Sequence, residues 1–237
     1  MKEIKIAVGI ATADYGNLAA QLKEAMDAGC DILHADAADM YELPDIQLMG
    51  GPQTIKGVRG VTTKPIECHF YTSKINKIFI ESIAEAGANM LILPAEYFMG
   101  AQLAYIINWC RNLNMKVGLT IGCYAPLSLI EESIYDIDRL HIVTHGVDDT
   151  DGGENWMWRK SVVDLVKRAR REIDLKNPKC ELAIDGGLRF DNIDELIKCN
   201  PDVVVLSSAL LKDDRGIKNA VKSFNKKFDS ISETMEF

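Results

Sequence analysis

Short apolar, β-favouring runs alternate with longer stretches of helical periodicity along this whole chain, and that alternation limits the fold more than any other feature. The β-like runs cover residues 4–10, 31–37, 64–70, 90–93, 116–121, 140–144, 182–184 and 203–206. Helical spacing covers residues 15–28, 75–86, 101–112, 127–133, 161–173, 192–198 and 216–228. A Gly- and Pro-rich segment at 43–52 and a polar loop at 145–155 interrupt the rhythm. Strand-helix units spaced at roughly thirty residues predict an α/β fold, a single-domain (β/α)8 TIM barrel. The barrel is expected over residues 1–228, with a loosely held tail over 229–237. A doubly wound open sheet is the alternative fold, but no GxGxxG turn follows the first strand.

Charge narrows the partners. A net charge of −8 argues against nucleic-acid or membrane-surface binding, both of which usually need a basic face. No run is long enough to cross a bilayer, and the first residues lack a signal-peptide apolar region, so a cytoplasmic protein is expected. The six cysteines are scattered without a CxxC pair, which fits reduced and mostly buried thiols.

Chemistry-bearing residues gather at the ends of the β runs. His34 and Asp36 close the second run, and alternation turns both to the same face. His69 ends the third run in Glu67-Cys68-His69, and Asp185 ends the seventh in Ile184-Asp185-Gly186-Gly187. Any one of these alone would more often be a strand-end polar residue satisfied locally. Together, His34, Asp36, His69 and Asp185 make a mixed nitrogen and oxygen ligand set for a divalent transition metal. In a barrel, Asp36 and Asp185 would approach a central ligand from opposite sides. Inverting a carbon centre needs a proton removed on one face and delivered on the other, and a metal on the carbonyl and adjacent hydroxyl would stabilise the enediolate between these steps.

These motifs resemble the ribulose-phosphate 3-epimerases and the related allulose-6-phosphate 3-epimerases. The family's second-strand pattern, H-x-D-x-M-D-G-x-F-V-P, is met at His34, Asp36, Asp39 and Pro44, with Ala38 at its methionine position. Its third-strand D-C-H-L-M reads here as Glu67, Cys68, His69, Phe70 and Tyr71, and its seventh-strand V-D-G as Ile184, Asp185 and Gly186. Lys116-Val117-Gly118-Leu119, followed by Ala125-Pro126, is similar to the family's fifth strand and turn. The resemblance implies an isomerase that inverts the carbon beside the carbonyl of a ketose phosphate. It also implies a divalent ion (Zn, Fe, Mn or Co), Asp36 and Asp185 as both ligands and acid-base groups, and a homo-oligomer.

The departures concern the substrate. Gly9 replaces a serine of the first strand, and Ala38, Tyr71 and Val143 replace methionines that cap the family's reaction centre. The family's P-G-F-G-G-Q loop after the sixth strand becomes an acidic run over 148–154, in which Gly152 and Gly153 survive. Carboxylates there would repel a phosphate. The phosphate is therefore expected on Gly186, Gly187, Ser207 and Ser208, with Arg189 nearby; Ser208 matches a family G-S pair and Ser207 departs from it. For His141 and His145 a structural role is the expectation, as is packing for Cys68, Trp156 and Trp158. Two rival functions are weighed: a phosphosugar decarboxylase or isomerase of the tryptophan or pyrimidine pathways, which lacks its D-x-K-x-x-D arrangement here, and a non-catalytic sugar-binding relative.

Overall fold

Period-two alternation in each strand decides what the barrel encloses. The structure, a computed structural model, describes residues 3–38, 51–144 and 160–234. β1 (Lys5–Gly9), β2 (Ile32–Ala38), β3 (Ile66–Tyr71), β4 (Met90–Pro94), β5 (Lys116–Gly122), β6 (Arg139–Val143), β7 (Glu181–Asp185) and β8 (Val203–Leu206) close into a ring in chain order. Every neighbouring pair is parallel. The fold is the single (β/α)8 barrel that the alternation predicts.

Around the ring run α1 (Leu18–Ala28), α2 (Pro52–Arg59), α3 (Lys77–Glu85), α4 (Gly100–Asn112), α5 (Lys160–Lys176), α6 (Asp194–Ile197), α7 (Ser208–Leu211) and α8 (Ile217–Thr234). Each longer helix buries a stripe at helical spacing, as with Leu22, Ala25 and Met26 of α1. Outward-facing strand residues such as Val8, Leu33, Cys68, Leu119, Ile142 and Ile184 join those stripes in one core. Inward-facing Ala7, Ile32, Ala183, Val203 and Val205 form a separate, smaller cluster. Polar groups share that interior: His34, Glu67, His69, Arg139 and His141 are all buried, alongside inward-facing Met90 and Ile92 of β4.

Three local outcomes differ from the sequence reading. No helix is expected between the second and third strands, yet α2 stands there with Pro52 in its first turn and Ile55 and Val58 buried. Gly57 and the flanking Gly51 and Gly60 dilute that short pattern. The helix expected at 127–133 is instead two 3-10 turns, Leu127–Ile130 and Ser133–Tyr135. The expected tail from 229 is helical as far as Thr234, because Phe224, Phe228 and Ile231 continue one buried stripe. Asp39, Pro44, His145, the acidic run at 148–154 with Gly152 and Gly153, Trp156 and Trp158 lie outside the described residues. Among the described residues, no helix is long and apolar enough to cross a membrane.

Candidate metal centre and active site

The strand register brings the site together. Asp36 pairs with His69 across β2 and β3, and Val143 with Asp185 across β6 and β7. His34 Nε2 lies 3.2 Å from Asp36 Oδ1 and 3.7 Å from Asp185 Oδ2. His69 Nδ1 stands 3.7 Å from Asp36 Oδ1 and 3.8 Å from Asp185 Oδ2. Two carboxylates, from strands three places apart in the ring, therefore flank the same two imidazole nitrogens. A further imidazole, His141, places Nε2 3.1 Å from Asp185 Oδ2.

Those spacings suit a cation. Ligand atoms about 2.0–2.2 Å from one shared ion stand roughly 3–3.6 Å apart, close to the separations found here. Donor atoms of His34, His69, His141 and Asp185 all lie within 4.8 Å of one another, a cluster able to hold a metal ion. Both ring nitrogens of His69 and Nδ1 of His141 are buried without a hydrogen-bond partner. A buried polar atom left unpaired costs about 1–3 kcal/mol, and a bound ion would use such lone pairs. The donor set fits a divalent ion.

In the absence of an ion, protons balance the charge. Burial disfavours a charged His34, but Asp36 and Glu67 outweigh it and hold the imidazole protonated well above its ordinary pKa. Burial raises Asp36, yet the charge and hydrogen bond of His34, with the nearby His69 imidazole, bring its carboxyl far below the usual range. Asp185 is likewise lowered against its burial, through the His141 hydrogen bond and the His34 charge. His141, desolvated and beside two other imidazoles, falls to about 4, so at neutral pH it is uncharged and donates Nε2–H to Asp185.

The rim is less uniform. Gly186 and Gly187 follow β7 with φ of 97° and 64°, a left-handed pair in which a side chain would be strained. Thr144 Oγ1 donates to the carbonyls of Asp185 and Gly186, tying β6 to this turn. Ser208 is exposed at the start of α7, where an incoming group can reach it. The Ser207 hydroxyl is already engaged: it donates to the Gly9 carbonyl, accepts from Thr12 N–H and pairs with Thr12 Oγ1. A Cβ on Gly9 would come 3.2 Å from Ser207 Cβ, so Gly9 and Ser207 constrain each other. Tyr71 packs its ring 4.3 Å from that of His69, above the cluster. Cys68 faces the outer core, with its thiol pushed up to about 12, chiefly by burial.

Three site residues lie beyond the sequence reading, which gives His141 a structural role, Glu67 no role past a motif match and Arg139 none. The signal is present as alternation: Glu67 and His69 share a face of β3, and Arg139 and His141 a face of β6. Charged groups at alternate positions of apolar strands belong together inside the barrel.

A closed parallel barrel with imidazoles and paired carboxylates at the carboxyl ends of its strands defines a (β/α)8-barrel enzyme. Its residues 5–211 match the Ribulose-phosphate 3 epimerase family, and the chain belongs to that family. It is thus an isomerase, of the carbohydrate epimerase kind. Ribulose-phosphate 3-epimerase of Escherichia coli strain K12 is 26% identical, over 98% of this chain and 99% of the relative. The Bacillus subtilis strain 168 enzyme of the same name is 28% identical, over 87% and 92%. Among solved structures, 3-hexulose-6-phosphate synthase from Salmonella typhimurium superposes with a TM-score of 0.73 at 16% identity, over 96% of this chain and 100% of that one. KGPDC from Streptococcus mutans gives a TM-score of 0.71 at 10% identity, over 97% and 99%. These structural likenesses concern the fold.

Proposed function

We propose that this enzyme is a divalent-metal-dependent epimerase that inverts the carbon beside the carbonyl of a ketose phosphate. The observation that carries the reading is the pair of carboxylates, Asp36 and Asp185, flanking the same nitrogens of His34 and His69. His34, Asp36, His69 and Asp185 would hold the ion, with His141 beside them as the hydrogen-bond donor to Asp185. When bound, a divalent ion supplies positive charge to the carbonyl and hydroxyl oxygens of the sugar.

The rest is done by the chain. Asp36 takes the proton from one face of the carbon, leaving a planar enediolate. Asp185 returns a proton to the opposite face, and the roles exchange for the reverse reaction. Two carboxylates cannot both stay charged against an enediolate, so one takes up a proton as substrate fills the mouth. Neutral His141 steadies Asp185 through its Nε2–H. Gly186, Gly187 and Ser208 receive the phosphate, with Arg189 beside them, and Gly9 and Ser207 shape the adjoining wall. Zn, Fe, Mn or Co would serve as the ion, and the enzyme would work as a cytoplasmic homo-oligomer.

The test is a panel of phosphorylated and free ketoses incubated with Zn-, Mn-, Fe- or Co-loaded protein and followed by NMR. Epimerisation of a phosphorylated ketose, lost on chelation and restored by metal, is the expected result. Ser208→Asp should raise KM for the phosphorylated sugar far more than for its free counterpart. A folded, metal-loaded protein that epimerises none of the phosphorylated ketoses would refute the proposal.

A further inference from the structure

Beneath the cluster, the barrel encloses a chain of charges that the reaction itself does not use. His34 Nδ1 lies 2.6 Å from Glu67 Oε1, and both groups are buried. The other oxygen of Glu67 accepts from Arg139 Nη1. Arg139 turns its remaining donors to Glu181, with Nη2 at 2.6 Å and Nε at 3.2 Å from Oε2. Lys5 Nζ closes the chain, 2.6 Å from Glu181 Oε1. The strand beside Arg139 is close-packed: a Cβ on Gly118 would press on the Arg139 carbonyl oxygen and on Ile92, both at 3.1 Å.

Burying such a column costs desolvation, so it calls for a function or a full set of partners. Partners it has; its upper end also meets the one His34 nitrogen that points away from Asp36 and Asp185. An imidazole that binds a metal through one nitrogen usually gives its other N–H to a carboxylate, which selects the tautomer and the ring orientation. We propose that Glu67 is the positioning residue of the centre: it accepts Nδ1–H from His34 and so presents Nε2 to the ion, while Arg139, braced by Glu181 and Lys5, aims the Glu67 carboxylate. This rests on the metal-centre reading above and adds a support that reaches through the barrel interior.

The test uses full-length protein loaded with Zn, which is diamagnetic. Long-range 1H–15N NMR of the wild type should show His34 metallated at Nε2 and carrying a far-downfield, exchange-protected Nδ1–H. Glu67→Gln should move that resonance upfield and weaken Zn binding, measured by competition with a chelator, by about 10–100-fold. If Glu67→Gln fails to fold, Glu67→Gln/Arg139→Met removes both charges of the buried pair and should show the same shift and the same loss. Unchanged Zn affinity with an unmoved resonance in either folded variant would overturn the role of Glu67. So would wild-type protein with His34 metallated at Nδ1, which decides the matter even if no variant folds. Wild-type protein that takes up no divalent ion would instead defeat the metal-centre reading, and this inference with it.

Discussion

Replacing Arg139 with Met tests the physics of the barrel interior. Arg139 is 3% exposed, and its guanidinium bonds two carboxylates, Glu67 and Glu181. Their losses are unequal. Glu181 keeps Lys5 at 2.6 Å, whereas Glu67 is left with His34 alone. Charge-assisted hydrogen bonds contribute about 1.5–3 kcal/mol each, and removing one partner of a buried ion pair costs about 3–5 kcal/mol. The Glu67 pKa agrees in scale: against its burial, Arg139 and then His34 bring it from 4.5 to about 2, equivalent to about 3 kcal/mol. Arg139→Met should therefore lower stability by about 3–5 kcal/mol at pH 7, read from urea unfolding of metal-free protein. Adding Glu67→Gln should restore most of it, because no unpaired charge then remains. The pH dependence has a definite sign. A lowered carboxyl pKa contributes stability that is complete above 4.5 and lost as pH falls towards 2. The gap between wild type and Arg139→Met should accordingly narrow across that window. A loss under about 1 kcal/mol, or a gap equal at pH 3 and pH 7, would refute the reasoning.

Three further outcomes are expected. His69→Ala should bind much less divalent metal than the wild type by elemental analysis, since both His69 nitrogens lack another partner; equal occupancy would remove His69 from the donor set. Asp185→Asn, checked for metal content, should still exchange the substrate proton with heavy water through Asp36 while inversion falls by about 10²–10⁴-fold; near wild-type inversion would exclude Asp185 as acid or base. Gly9→Ser and Ser207→Gly should be coupled, because a Cβ on Gly9 would meet Ser207 Cβ at 3.2 Å. The double variant should be more stable in urea unfolding than the sum of the two single changes gives; additive changes would show that the two residues are not coupled.

The strand count, the barrel and the inward pairs His34 with Asp36 and Glu67 with His69 were readable in the sequence, because they are local periodicities and alternation is enforced residue by residue. The end of β7 was readable in the same way, from Asp185 before two glycines. α2 was not, because a short helix with Gly57 in it carries too little periodic signal. The last helix outran its expected end because the packing of Ile231, not local propensity, decides where it stops. His141 and Arg139 could be placed on one face of β6, but only closure of the ring brought them to Asp185 and Glu67, forty or more positions away in the chain. Ser207 was legible as a loop hydroxyl; its commitment to Gly9 and Thr12 arises from β1 and β8 meeting where the sheet closes. A sequence specifies which side chains share a strand face, while the charge each one feels depends on neighbours from other strands, and those are chosen by the register of the closed barrel.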